Sequence, residues 1–226
     1  MTEQNDQWRG YVRRLRRLDA CAVSDALDSL GKSGAVSGLP RRSGGGVIAG
    51  RALTVKVGPG SARRGPARHL GVAAIEKAGV DDVIVVEQRS EVEAGCWGGL
   101  LTLAAKLRGV AGVVADGPLR DVDEAIAYGF PVFSRSLTTR TARGRVVELE
   151  VGDQVHVGDI WVAEGDFVIA DGSGVVFVPA EDAEAVIAAA ETIAHREAAM
   201  AKALLSGTSP SEVMGGQYEH MLERKP

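Results

Sequence analysis

The feature that most constrains this chain is a set of short, unbroken apolar runs separated by helix-like segments. Asp81–Gln88 (DDVIVVEQ) and Val110–Ala115 (VAGVVA) are apolar without alternation, as expected of strands covered on both faces. Residues 51–57 (RALTVKV) read as a further strand, followed by a helix from about Pro66 to Ala78. A strand–helix order repeated in this way implies parallel pairing with right-handed crossovers. The pattern changes after PVFSR: RVVELEV, QVHV, DIWV, DFVIA and GVVFV are short strands with Gly-Asp turns between them, a meander. The chain is thus expected to be α/β, and its 226 residues suffice for one large domain over 1–226 with a sizeable core.

The stretch from Cys96 to Phe133 carries the candidate site. Gly98 and Gly99 precede Leu100, Leu101, Leu103, Ala104, Ala105 and Leu107, a pattern for a largely buried helix. The first N–H groups of a helix lack intrahelical partners and its dipole favours an anion, so residues 98–101 can receive a carboxylate or phosphate. The strand that follows is expected to end at Asp116-Gly117, and Pro118-Leu119 then leads to Arg120 and Asp121. Open α/β sheets bind ligands beyond the carboxyl ends of their strands. Arg120 offers a planar fork for carboxylate or enolate oxygens, and Asp121 a hard oxygen for Mg²⁺. The plainer alternative is an Asp121 N-cap for DVDEAIAYG beside a surface arginine.

Residues around this stretch are read more simply. QWRGYVRRLRRL (7–18) places Trp8, Tyr11, Val12, Leu15 and Leu18 at helical spacing with five arginines mostly opposite, an N-terminal helix within 1–20 packed by its apolar stripe rather than a membrane or partner helix. Ser24 is a candidate cap for a short helix ended by Gly31. Leu39–Gly50, although glycine-rich, lacks the phosphate-loop signature and reads as a connection or turn. His69 is a lone histidine on a helix face and reads as structural. Cys21 and Cys96 are too few for a disulfide scaffold or zinc site, and Cys96 reads as a small buried residue. Residues 181–205 form a long alanine-rich helix, followed by a polar tail over 206–226. A net charge of −4 leaves no electrostatic footprint for nucleic acid. No apolar run is long enough for a membrane span, and MTEQNDQWRG lacks a leader's apolar region, so the expected setting is cytoplasmic.

The glycine-led helix, RGVAGVVADG, the Arg-Asp pair and GFPVF resemble the family of the regulator of ribonuclease activity A, which also contains the 4-hydroxy-4-methyl-2-oxoglutarate/4-carboxy-4-hydroxy-2-oxoadipate aldolases. The likeness begins near VSDALDSLG (Val23–Gly31), where Asp25 matches a frequent family Asp, and continues through Val157–Pro179 into the last long helix. It covers about nine-tenths of the chain. It implies a three-layer swivelling β/β/α fold, an assembly of three or six copies, and a divalent metal, Mg²⁺ or Mn²⁺. By resemblance Asp121 is the direct metal ligand, Arg120 the substrate and enolate partner, and the backbone of Gly98, Gly99, Leu100 and Leu101 the carboxylate cradle. Glu197 aligns with a family Glu that reaches the metal-bound waters of a neighbouring copy, although it also reads as an exposed helix charge. The family's enzymes carry an acid twenty residues before the Arg, helping to hold the metal through water; here that position is Gly99.

The chemistry so implied is metal-dependent cleavage of a carbon–carbon bond in a small anionic 2-oxo acid, such as 4-hydroxy-4-methyl-2-oxoglutarate or oxaloacetate, through a pyruvate-type enolate. No lysine sits in a motif suited to a Schiff base, and no well-placed histidine is visible, which leaves a metal-bound water as the general base. Two other readings stand beside this one: a non-catalytic binding protein like the ribonuclease regulator, and the same scaffold recruited to another enolate-type reaction. A nucleotide-dependent transferase finds no support, because no dinucleotide-type glycine fingerprint is present.

Overall fold

A computed structural model of the chain describes residues 3–60 and 69–215. In chain order the elements are α1 (Glu3–Leu15), α2 (Ala20–Ser29), β1 (Ala35–Val36), β2 (Arg41–Ser43), β3 (Ile48–Gly58), α3 (Val72–Lys77), β4 (Asp82–Glu87) and α4 (Gly99–Leu107). These are followed by β5 (Gly112–Leu119), α5 (Val122–Tyr128), β6 (Val132–Leu137), β7 (Val147–Val151), β8 (Val155–Val157), β9 (Ile160–Val162), β10 (Phe167–Ala170), β11 (Val175–Val178), α6 (Ala183–Leu205) and α7 (Pro210–Val213).

Strands β3, β4, β5 and β6 are parallel neighbours, as the crossover pattern requires. The sheet runs β1-β11-β10-β3-β4-β5-β6-β2, and β7 also joins β3. Pleating sends alternate residues to opposite faces. Ile84 and Val86 pack with α3, α4 and α5, whereas Val83 and Val85 pack with the β8–β9 hairpin. Helices α1, α2 and α6 cover Ala49, Phe167, Ile169, Val176 and Val178 at the other end of the helical face. Helix layer, main sheet and hairpin are the three layers of the swivelling β/β/α arrangement.

Several local expectations shift. Strand β5 continues to Leu119 rather than ending at Asp116-Gly117; its pairing with β6 slips between Ala115 and Pro118, which lets a residue without an N–H stay in the ladder. The expected meander is divided, because β7 leaves it to pair with the second half of β3 while β10 takes the first half. Of the glycine-rich connection Leu39–Gly50, Leu39, Pro40 and residues 44–47 remain outside strands, since Arg41–Ser43 pair with β6 and β3 begins at Ile48. Helix α2 is capped by Asp19, whose side chain accepts the Ala22 N–H, and not by Ser24, which lies inside it. Helix α3 starts only after left-handed Gly71, and residues 66–68 of its expected first turn lie outside the described residues. In the polar tail Pro210–Val213 form a short helix capped by Ser209, and 216–226 lie outside the described residues. The basic N-terminal helix is packed as expected: Val12 and Leu15 are buried, and Arg14 reaches Glu184 and Glu191 of α6.

Gly50, in the strand shared by β4 and β10, has no room for a side chain. A Cβ there would collide with the Asp81 carbonyl and stand 2.9 Å from Val83 Cγ2. Gly50→Ala is expected to destabilise the chain by about 1–3 kcal/mol through overpacking, read as a lower midpoint in urea unfolding.

Candidate active site

The site is built where the segment before α4 runs alongside the end of β5. The Cys96 N–H donates to the Pro118 carbonyl at 2.9 Å and the Arg120 N–H to the Trp97 carbonyl at 3.1 Å, with Trp97 and Leu119 bridged in parallel. On its other side, the Gly95 N–H donates to the Arg140 carbonyl at 3.0 Å, and the Thr138 N–H donates to Leu119. Trp97 is fully buried and its indole N–H donates to Thr102 Oγ1 at 3.0 Å, while that hydroxyl donates to the Gly98 carbonyl at 2.9 Å. The first turn of α4 is thereby held against the core.

Arg120 and Asp121 lie across the glycines that open this helix. Cβ atoms built on Gly95 or Gly98 would stand 3.0 Å and 3.2 Å from Arg120 Cγ, and the one on Gly98 would be 2.9 Å from Asp121 Oδ2. Gly98 is extended (φ −160°), so its requirement is for space rather than for a special backbone angle. Asp121 is different: it is left-handed (φ 58°, ψ 39°), uncommon outside glycine although better tolerated by Asp and Asn. It occupies the N-cap position of α5, yet its side chain makes no cap bond there. Its Oδ2 accepts the Gly99 N–H at 3.2 Å, and Arg120 Nε lies 3.3 Å from the carboxylate. The N-cap alternative is thus half right, since Asp121 supplies an anion to the start of α4 instead of α5. Strained backbone that re-aims a charged group is a common property of binding sites.

Gly98, Gly99, Leu100, Leu101, Arg120 and Asp121 all line one cavity of about 220 Å³. His69, read from sequence as structural on a helix face, instead precedes α3 and lines the cavity; Thr141 and Arg143, which the sequence did not single out, line it from a loop whose approach is set by tertiary structure alone. His69 Nδ1 lies 2.8 Å from the Leu70 carbonyl. Because a carbonyl can only accept, Nδ1 carries the proton and Nε2 is left for another partner. Glu197 is not among the lining residues. It sits on α6, where burial and then the charges of Asp19 and Asp25 push its carboxyl above the usual range. Among the described residues no three His, Cys, Asp or Glu side chains cluster to hold a metal. The oxygen donor of Asp121 nevertheless suits a hard cation that keeps several waters and shares its coordination with a ligand.

The family model described as RraA-like, Aldolase/RraA, matches residues 20–177. The chain belongs to the RraA-like family. One relative, from Halalkalibacterium halodurans and provisionally named a 4-hydroxy-4-methyl-2-oxoglutarate aldolase, is 27% identical over 78% of this chain and 80% of its own length. Among solved structures, an uncharacterized Pseudomonas syringae pv. tomato protein is 29% identical with a TM-score of 0.82, over 92% of this chain and 98% of its own. Streptomyces coelicolor RraAS2, described as an unusual member of the RNase ES inhibitor RraA family, is 26% identical with a TM-score of 0.73, over 83% of this chain and 92% of its own. The chain spans 33% and 63% of the length of two other curated relatives that it matches.

Cys96 beside the site is inert. Burial, with a lesser contribution from the charge of Asp116, pushes its thiol up to about 12, and Sγ donates to the Pro118 carbonyl at 3.3 Å. At pH 8 it carries no useful thiolate. Alkylation of the native chain at that pH is expected to consume one rapid equivalent, at exposed Cys21, and a second only on unfolding; two rapid equivalents would contradict this assignment.

Proposed function

We propose that this RraA-like chain is a divalent-metal-dependent carbon–carbon lyase, an aldolase or decarboxylase, acting on a small anionic 2-oxo acid such as 4-hydroxy-4-methyl-2-oxoglutarate or oxaloacetate. The observation that carries the reading is the convergence of Arg120, Asp121 and the start of α4 on one cavity. Asp121 is the residue that would hold Mg²⁺ or Mn²⁺ directly, with Glu197 of a neighbouring copy acting through water in an assembly of three or six chains. When bound, the ion supplies Lewis acidity at the oxygen where charge develops.

The chain's own groups account for the rest. The N–H groups at the start of α4, of which that of Gly99 is shared with Asp121, receive the substrate carboxylate, aided by the helix dipole. The Arg120 guanidinium faces the 2-oxo oxygen and stabilises negative charge there as the carbon–carbon bond breaks. Trp97 and Leu101 give the cavity an apolar wall, limiting water. Arg143 and the Nε2 of His69 receive a second anionic group, which both named substrates carry. Among the described residues no helix is long and apolar enough to cross a membrane.

Gly99, in place of the acid expected by resemblance, favours a second reading: a binding protein without catalysis, of the kind RraAS2's description names. Pyruvate release from both substrates separates the two. Chelator-sensitive release with Mg²⁺ or Mn²⁺, well above the spontaneous rate, is expected of the lyase; no release, with capture of a ribonuclease partner, is expected of the binder. Asp121→Ala should abolish the metal-dependent turnover, and full retention of activity would remove Asp121 from the metal site. Arg143→Ala should raise KM for oxaloacetate about tenfold with kcat little changed, the loss of one charge-assisted contact.

A further inference from the structure

The glycine at position 99 has a spatial cause. It opens α4 without a left-handed backbone, yet a Cβ there would collide with the carboxylate of Glu124, with Glu124 Cδ 2.5 Å away and Asp121 Cβ 3.2 Å away. Glu124 thus fills the space in which a side chain on residue 99 would begin. Asp121 and Glu124 are three residues apart at the start of α5, the spacing that makes side chains neighbours. Both border Gly99. Two carboxylates gathered over one helix start repel each other unless a counter-charge is present. Arg120 provides one to Asp121. For Glu124, the polar neighbour among the described residues is the Tyr128 hydroxyl at 3.5 Å, which leaves most of its lone pairs open.

We propose that Glu124 is the second carboxylate of this site, holding a hydrated divalent cation jointly with Asp121 in the space that a residue-99 side chain would occupy. The inference rests on the reading of Asp121 as a metal ligand. An all-oxygen pair on one helical turn suits Mg²⁺ or Mn²⁺, which are bound through one or two carboxylates and retain waters. Glu124 is a positioning residue for the bound waters and touches no substrate.

The test is Mn²⁺ binding to the full chain without substrate, read from the electron paramagnetic resonance signal of the free ion. The unaltered chain should bind. Asp121→Asn should lose binding, and Glu124→Gln, at an exposed position where folding is not at stake, should weaken it tenfold or more. In a Glu124→Ala background the further change Gly99→Asp should return affinity to within about threefold of the starting chain, because the new carboxylate enters the vacated space. Binding by Glu124→Gln equal to that of the unaltered chain, with Asp121→Asn inactive in binding, would overturn the role of Glu124 while leaving Asp121 as ligand. Failure of the unaltered chain to bind Mn²⁺ would overturn both.

Discussion

The structure depends on how the segment Gly95–Trp97 is attached to the end of β5. Backbone bonds from Cys96 and to Trp97 extend the parallel ladder by a few residues beyond the regular sheet. That attachment fixes where α4 begins, and so fixes its first N–H groups relative to Arg120 and Asp121. The meeting of the α4 start with Arg120 and Asp121 follows from two chain segments, twenty-odd residues apart, being held at hydrogen-bond distance by main-chain atoms rather than by adaptable side chains. Buried Trp97 and Thr102 brace the arrangement from below with a short relay of side-chain bonds.

Main-chain attachment also explains the local composition. Three glycines, Gly95, Gly98 and Gly99, sit where side chains from the Arg-Asp-Glu face of the neighbouring segment cross over them. They need no unusual torsion; they need to be small. The one unusual torsion falls on Asp121, whose carboxylate thereby leaves its own helix and turns to another. The strain is local and its beneficiary is the neighbouring helix.

Much of this was legible in the sequence, for identifiable reasons. Continuous apolar runs such as DVIVVE announce strands covered on both faces, and the glycine-led apolar helix followed by an Arg-Asp pair after the next strand predicts their meeting, because sheet topology leaves few alternatives. What escaped was decided at long range or by a single torsion. Nothing local in HVGDIWV says that β8 and β9 detach to form a separate layer, nor that β7 and β10 share one side of β3. Asp19 outcompetes Ser24 as a cap because the helix starts a turn earlier than its apolar spacing suggests. His69, expected on a helix that in the structure starts only at Val72, and Arg143, on a loop without periodic signal, both reach the cavity, and the collision between Gly99 and Glu124 exists only once α4 and α5 are packed.

The bond from the Gly99 N–H to Asp121 means that the helix start already holds an internal anion. A ligand carboxylate of the kind proposed would not fill a vacancy there; it would take part in an exchange. Its apparent affinity reflects the difference between two carboxylates competing for one donor, and each successful exchange releases the Asp121 oxygen to seek a positive partner. Under the proposed function, arrival of an anion and recruitment of a cation would in that sense be two halves of a single event, because the resting molecule satisfies its own donor.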